Sequence, residues 1–302
     1  MQHDHSHEHG HTPQSFGVAF AIGASLNLAL VLAELIFGYL SNSLALISDG
    51  VHNFSDVFGL LLAWGGSWLA TRQPSASRTY GYRRASILAA LGNAALLLLA
   101  TGGLLLEAAQ RLSNPQPVAS GTVLWVACVA IAINTATALL FLRGREHDLN
   151  IKGAFLHMTA DAAVSLGVVA AALLISHTRQ FWLDPAAGIA VGLVILWSGW
   201  GLMRDALNLA LDAVPARVDR SAVEKYLASL PDVSEVHDLH IWGMSTTETA
   251  LTAHLVRPKA GSDDQLLNEI AHELEHKFGI QHATIQFETG ALECRLAPAH
   301  VV

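Results

Sequence analysis

The chain has 302 residues, of which 52% are hydrophobic and only 14% are charged, and its mean hydropathy is positive. This composition excludes an ordinary soluble protein and indicates membrane-spanning segments. The formal net charge of −8 argues against nucleic acid as a partner.

The tail at residues 1–14 has alternating histidines and no apolar residues to form a core. It lacks the basic start and apolar centre of a cleaved signal peptide, and we expect it to be disordered. Such a tract can bind metal loosely, although an inert tail or a purification tag would look similar. Its histidines are His3, His5, His7, His9 and His11.

Six apolar stretches of about 20 residues or more predict transmembrane helices. They lie near residues 16–39, 44–70, 85–110, 121–142, 151–175 and 184–207. Asp184 and Pro185 suit the N-cap and first turn of the sixth helix. We therefore predict a transmembrane domain over residues 15–211.

The basic residues of the loops predict the orientation of this domain. The second-to-third and fourth-to-fifth loops carry seven basic residues, while the loops of the opposite side carry only Arg111 and Arg179. Because basic loops stay in the cytoplasm, we expect both termini to be cytoplasmic. The seven are Arg72, Arg78, Arg83, Arg84, Arg143, Arg145 and Lys152.

Two copies of one pattern, His52-x-x-x-Asp56 and His157-x-x-x-Asp161, lie within apolar stretches two and five. Residues four apart share a helix face, so each pair presents one imidazole and one carboxylate to a neighbouring helix. Together the pairs supply the two nitrogens and two oxygens of a tetrahedral zinc site. Two carboxylates also balance a divalent cation, which lowers the cost of holding it within the membrane.

Further polar residues lie in the same apolar stretches, chiefly Asn27, Glu34 and Asp49. Polar groups within a membrane either bond across helices or line a water-filled path. We take these three as candidates for an access path to the metal.

Residues 212–302 have 14 acidic and 7 basic side chains, and their pattern predicts a small soluble α+β domain. A helix over 219–230 precedes two alternating strands, 233–242 and 247–257, then a helix from Ser262 and a strand over 281–288. The order helix–strand–strand–helix–strand suits an open fold resembling ferredoxin-like domains.

The strands of this domain carry metal-ligand side chains. His237, His254, His282 and Glu288 lie on strands that should be neighbours, and Cys294 is a further candidate. Alternation along a strand places His282 and Glu288 on one face. It also places His237 and His240 on opposite faces, so these two should not share an ion. Cys294 and Cys128 are the only cysteines, which makes a disulfide framework implausible.

A rival interpretation is a membrane-anchored zinc protease that uses His272 and His276. These histidines flank Glu273 with the i, i+4 spacing of zinc-protease helices. A protease also needs a third ligand and a cleft, for which a domain of this size has little room. A second rival is a membrane-anchored metal sensor, but an anchor has no need of ligands inside the membrane.

The motifs together resemble the cation diffusion facilitator family, in its zinc-transporting branch. The segment from Ser43 to Asp56 is similar to the family's second-helix signature, and the segment from Asn150 to Asp161 to its fifth. The likeness covers nearly the whole chain. Other similar motifs are Tyr80–Arg83, Glu107-x-x-x-Arg111, His237–Trp242 and Ala283–Glu288.

The resemblance implies a homodimeric transporter in a lipid bilayer that exchanges metal for protons and is not an enzyme. It assigns the transport site to His52, Asp56, His157 and Asp161, and cytoplasmic metal sites to the strand residues named above. Zinc is the expected substrate and regulator, with cadmium or cobalt as alternatives, and a bacterial plasma membrane is the expected location. The chain departs from some family members in having no His or Asp over residues 71–79 and Cys294 alone near its end.

Overall fold

The computed structural model of the chain describes residues 14–141, 149–258, 264–292 and 294–297. The five tail histidines, and Arg143 and Arg145, lie outside the described residues. The described residues form two compact units. The first comprises those within 1–58 and 95–199, and the second those within 59–94 and 200–302.

Six long helices occupy the six apolar stretches, each within three residues of its predicted bounds. They are α1 (Gln14–Ser41), α2 (Leu44–Ala70), α3 (Ala85–Ser113), α4 (Ser120–Phe141), α5 (Leu149–Thr178) and α6 (Leu183–Ala210).

The composition and surface of these helices are those of a membrane protein. Among the described residues, four segments are long and apolar enough to cross a bilayer: Ala85–Ser113, Ser120–Leu139, Phe155–Thr178 and Leu183–Ala210. A shorter apolar segment, Ser25–Ser41, lies in α1. Large apolar side chains on α3, α4 and α6, such as Leu99, Trp125 and Trp197, point away from the protein, as lipid-facing side chains do.

The first unit packs mainly through small and β-branched residues. Helix α4 runs along α5, and α1 packs on α4. Small side chains let membrane helices approach closely, so that dispersion contacts replace the hydrophobic effect. One buried cluster consists of Ala45, Leu46, Val118, Val123, Ala127, Val168 and Ala172.

Asp184 caps a different helix from the one expected. Helix α6 begins at Leu183, so Asp184 lies in its first turn rather than before it. The buried Asp184 carboxylate accepts a hydrogen bond from Ser43 Oγ and another from the Leu44 backbone N–H at 2.7 Å. Because the first amides of α2 have no partner within their own helix, Asp184 serves as a cap supplied from a distant part of the chain.

The soluble domain has the expected order of elements: α7 (Arg220–Ala228), β1 (Glu235–Gly243), β2 (Thr249–Val256), α8 (Asp264–Phe278) and β3 (His282–Glu288). Strand β2 is central, antiparallel to β1 and parallel to β3. Buried Leu251 and Leu255 of β2 pack with Ile270 and Leu274 of α8 in one apolar core. The α+β expectation is confirmed.

The loop between α2 and α3 contacts this domain within the second unit. Arg83 forms an ion pair with Glu248, and Arg84 forms one with Asp212. The Tyr80 and His282 rings meet edge to face, with centroids 5.6 Å apart. The basic loop and the C-terminal domain therefore lie on the same side of the membrane.

Candidate metal centres

Helices α2 and α5 bring both His-x-x-x-Asp pairs to one place in the first unit. His52 Nε2 lies 3.8 Å from Asp56 Oδ2 and 3.7 Å from Asp161 Oδ1. His157 Nε2 lies 3.3 Å from Asp56 Oδ2 and 3.6 Å from Asp161 Oδ2. Imidazoles and carboxylates therefore alternate around a ring of four side chains.

The neighbouring nitrogen and oxygen atoms of this ring lie nearly as close together as the ligand atoms of a tetrahedral site. Zinc bonds to nitrogen and oxygen of about 2.0–2.2 Å place neighbouring ligand atoms about 3.3–3.6 Å apart in a tetrahedral site. The four nitrogen-to-oxygen separations run from 3.3 to 3.8 Å. One ligand atom each from His52, Asp56 and Asp161 lies within 4.8 Å of the others. His157 is not part of that group, so its ring must move closer to complete a site of four ligands around one ion. Asp161 is only 2% exposed, whereas His157 is 41% exposed, so the site is open on the His157 side.

The three polar residues expected along an access path lie on α1 and α2 in the same unit. The Asn27 amide donates to Met158 Sδ at 3.4 Å, next to His157. Glu34 and Asp49 are fully enclosed by protein, so neither lines an open water-filled path in this structure. Both carboxylates bond across helices instead, Glu34 with Asn53 and Asp49 with Ser165, which was the other role expected of polar groups within a membrane.

A second cluster of ligand side chains lies on the sheet of the soluble domain. In the register, His237 of β1 stands directly opposite His254 of β2. Glu288 of β3 pairs with Val256, two residues beyond His254 and on the same face. Cys294 reaches the same place from the segment after β3, so one ligand atom from each of the four lies within 4.8 Å of the others.

The contacts of this cluster join His254 to its neighbours and leave the His237 nitrogens without hydrogen bonds. His254 Nδ1 lies 3.0 Å from Glu288 Oε1 and 3.6 Å from Cys294 Sγ. His237 Nε2 lies 3.4 Å from Glu288 Oε2. Both His237 nitrogens are buried without a hydrogen-bond partner. Buried polar atoms normally have partners, so this imidazole is suited to a bound cation.

Glu288 is held in the form that binds metal. Desolvation acts to raise the pKa of its carboxyl, but the hydrogen bonds of Gln286 and Cys294 and the nearby His237 and His254 imidazoles outweigh it and lower the pKa below its ordinary value. The carboxylate is therefore ionised at neutral pH, as a metal ligand must be.

Asp238 is a further residue of this cluster that the sequence pattern did not predict. It has a positive φ of 49° at an irregularity of β1, between His237 and His240. Its carboxylate lies 3.4 Å from His254 Nε2 and 2.8 Å from His240 Nε2. A carboxylate on the far nitrogen of a metal-binding histidine fixes the ring and its tautomer. The neighbouring acid in His237-Asp-Leu-His240 was the available signal.

The expected ligand set is corrected at His282, which lies at the other end of the sheet. It pairs with Ala250, while Glu288 pairs with Val256 at the far end of the same strands. Both are on one face of β3, but six residues of strand separate them by about 20 Å. Alternation predicts the face of a residue and not its position along the strand.

His272 and His276 lie on the exposed face of α8, with ring centroids 4.3 Å apart. The opposite face buries Leu266, Ile270 and Leu274 in the core. Within the described part of the chain, groups of three or more metal-ligand side chains occur at the two clusters above, and neither histidine belongs to one. The protease interpretation therefore has no third ligand on this helix.

Comparison with protein families matches both parts of the chain. A model described as the cation efflux transmembrane domain matches residues 20–209. A second, described as the cytoplasmic domain of cation efflux proteins, matches residues 215–290. The two matches cover the six-helix part and the α+β part respectively.

Individual relatives are similar over almost their whole length. The metal cation efflux system protein CzcD of Cupriavidus metallidurans is 37% identical, over 98% of this chain and 93% of its own. A cadmium, cobalt and zinc/H⁺–K⁺ antiporter of Bacillus subtilis is 34% identical, over 95% and 92%. The zinc transporter ZitB of Escherichia coli is 33% identical, over 95% and 93%.

Proposed function

Because the chain belongs to the cation efflux family of membrane transporters, we propose that it exports zinc from the cytoplasm in exchange for protons. The observation that carries the proposal is the ring of His52, Asp56, His157 and Asp161, in which neighbouring imidazole nitrogens and carboxylate oxygens lie 3.3–3.8 Å apart. Similar proteins are named for zinc, cadmium and cobalt, and cadmium and cobalt are alternative substrates here. The chain is a transporter and not an enzyme.

Exchange for protons follows from the chemistry of the ring. An imidazole binds metal only when neutral and a carboxylate only when ionised, so metal and protons compete for the same four groups. Histidine titrates near neutral pH, where physiological proton gradients operate. When the ring faces the cytoplasm zinc displaces protons, and when it faces the opposite side protons help to release zinc.

The contacts of the α2–α3 loop support a cytoplasmic position for the C-terminal domain. Arg83 and Arg84 in this loop pair with Glu248 and Asp212, so loop and domain share one side. Basic loops are retained on the cytoplasmic side, and six crossings would return the N-terminal tail to the same side. We place the protein in a bacterial plasma membrane, with residues 1–14 as a tail, 15–211 in the membrane and 212–302 as the cytoplasmic domain.

We assign a regulatory role to the cytoplasmic cluster of His237, His254, Glu288 and Cys294. Residues 212–302 carry a net charge of −7, and like charges oppose close association of two copies. Zinc at this cluster neutralises part of that charge, so it favours a homodimer. The transport site lies elsewhere in the chain, so regulation at this cluster is separate from transport itself.

The decisive experiment is zinc flux into proteoliposomes under an imposed pH gradient. We expect uptake by the wild type that stops when the gradient is collapsed, and no uptake by Asp161→Asn. Asp205→Asn, on the exposed surface of α6, is the matched control and should transport normally. Zinc uptake by Asp161→Asn at the wild-type rate would contradict the assigned site. Parallel flux of cadmium, cobalt and manganese ranks the substrates.

A further inference from the structure

Two acidic side chains outside the metal ring, Glu34 of α1 and Asp49 of α2, are completely buried in the first unit. An ionised carboxylate at membrane depth is costly unless a cation or several hydrogen bonds compensate it. Helices α1 and α2 approach closely here, because a Cβ added at Gly50 would lie 3.0 Å from Glu34 Cβ and 3.1 Å from a Leu35 side-chain carbon.

Each carboxylate has one oxygen in a hydrogen bond and one without. The Asn53 amide donates to Glu34 Oε2 at 2.8 Å, and Ser165 Oγ donates to Asp49 Oδ2 at 3.0 Å. The remaining oxygens, Glu34 Oε1 and Asp49 Oδ1, are buried and have no hydrogen-bond partner. Buried oxygens without partners are rare, and these two are available to a bound positive species.

The surrounding charge is negative. The titratable groups that act electrostatically on Glu34 are Asp49 of α2 and Asp161 of α5, and Asp161 also acts on Asp49. Among the described residues, no Lys or Arg forms an ion pair with either carboxylate. Two uncompensated negative charges beside the acidic ring would repel each other strongly in a low-dielectric interior.

The number of free oxygens favours a proton over a metal ion. Hard metal ions require about six or more oxygen ligands, whereas these two carboxylates have two unbonded oxygens between them. A proton needs one oxygen and no further ligands. It also removes a negative charge, which relieves the repulsion from Asp161.

We propose that Glu34 and Asp49 form a proton-binding site, distinct from the metal ring, that carries protons exchanged for zinc. This inference rests on the proposed transport function. When zinc occupies the ring, its two positive charges offset Asp56 and Asp161, so Glu34 and Asp49 ionise more readily and release a proton to the solution. Coupling between two ligands is reciprocal, so protonation of Glu34 and Asp49 on the opposite side weakens zinc binding in the ring.

The test is the ratio of protons to zinc exchanged, measured with pH and zinc dyes in the same proteoliposomes. Glu34→Gln and Asp49→Asn keep the size of the side chain and one acceptor oxygen, but an amide does not bind or release a proton at physiological pH. We expect each variant to lower the ratio by up to about one proton per zinc. Zinc movement down its own gradient should persist in both, while Asp205→Asn keeps the wild-type ratio.

The proton site and the metal ring can fail separately in this assay. An unchanged ratio in both Glu34→Gln and Asp49→Asn would overturn the proton site, even if Asp161→Asn abolishes zinc flux as proposed. Zinc flux that depends on potassium in the wild type and loses that dependence in Glu34→Gln would overturn the assignment of a proton, in favour of an alkali cation. Persistent zinc flux in Asp161→Asn would instead refute the ring as the transport site. The proton-to-zinc ratios of Glu34→Gln and Asp49→Asn would still test the proton site.

Discussion

The choice between imidazole and carboxylate at the four ring positions sets, under the proposed function, which metal the protein transports. The ring alternates two imidazoles and two carboxylates at 3.3–3.8 Å. Such a mixed nitrogen and oxygen set suits borderline metals such as zinc, whereas all-oxygen sets suit magnesium, calcium and manganese. We therefore expect zinc to be transported well and manganese poorly.

The substitution His52→Asp should shift transport from zinc toward cadmium. Aspartate is shorter than histidine and can bind through two oxygens, which suits a larger ion with more ligands better than it suits tetrahedral zinc. We expect the ratio of cadmium to zinc initial rates to rise about 3- to 10-fold, equivalent to about 1 kcal/mol. Paired flux measurements in proteoliposomes check this, with Asp205→Asn as control. An unchanged ratio would count against His52 as a ligand.

The pairing of His and Asp within each His-x-x-x-Asp motif was predictable from the sequence, because the spacing of two residues on a helix determines whether they share a face. Two residues four apart on one helix share a face, and an acidic group inside an apolar stretch has few explanations other than function. Spacing cannot show which helices face each other. The meeting of His52 with Asp161, and of Asp56 with His157, became clear only from the packing of α2 against α5.

The positions and bounds of the helices could be predicted from the hydropathy of the sequence. Contacts between distant segments of the chain could not. All six long helices were predicted to within three residues. Asp184 was expected to begin its own helix, and instead it caps α2 some 140 residues earlier in the chain. A capping side chain is recognised locally by its residue type, but its partner depends on how the helices pack.

Removing the Asp184 carboxylate should destabilise the transmembrane domain without weakening zinc binding at the ring. Asp184→Ala leaves Ser43 Oγ and the Leu44 amide without this acceptor, and loss of a cap costs about 0.5–2 kcal/mol. Asp184→Asn keeps one acceptor oxygen and should cost less. Thermal unfolding in detergent measures both, with Asp205→Ala as the exposed control. Equal unfolding temperatures for Asp184→Ala and wild type would refute the capping role.

The cytoplasmic cluster depends on positions along the strands that residue alternation does not determine. Alternation correctly placed His282 and Glu288 on one face of β3, but their separation along the strand keeps His282 out of the cluster. Asp238 was missed because its reach to both His240 and His254 depends on a positive φ and a shift of register. Neither feature follows from residue type alone.

Zinc binding to the cytoplasmic cluster should therefore require Glu288 and not His282. In a full-length Asp161→Asn background, which removes the proposed transport ligand, Glu288→Gln should abolish or sharply weaken the remaining zinc binding because it replaces a charged ligand by a neutral one. His282→Ala should leave that binding unchanged. Isothermal calorimetry with zinc compares the two variants. Loss of zinc binding in His282→Ala would contradict this prediction, because it would show that His282 is also a zinc ligand.

The charged side chains of the protein are divided between the membrane helices and the C-terminal domain. The membrane helices hold few charges, and several of these are grouped at the ring and at Glu34 and Asp49. The C-terminal domain carries most of the net negative charge and pairs with the basic loop between α2 and α3. A partly exposed ion pair contributes about 0–1 kcal/mol to the free energy of folding. The two pairs of Arg83 and Arg84 therefore fix the orientation of the loop more than they add to the stability of the protein.

Removal of residues 1–14 should reduce transport at low zinc much more than at saturating zinc. The proposed position of this tail on the cytoplasmic side places five imidazoles and two carboxylates, Asp4 and Glu8, near the entrance. Weak multivalent binding raises the local concentration of metal, which matters only while the transport site is mostly empty. We expect the half-saturating zinc concentration to rise severalfold and the maximal rate to stay nearly constant.

Flux measured against free zinc distinguishes capture by the tail from a structural effect of removing it. A variant in which His3, His5, His7, His9 and His11 are all replaced by Gln keeps the length of the tail and removes its ligands, so it should behave like the truncated protein. A lower maximal rate with unchanged half-saturation in the truncated protein would contradict capture, because zinc supply no longer limits the rate at saturation. Identical curves for all three proteins would show that the tail is inert in transport.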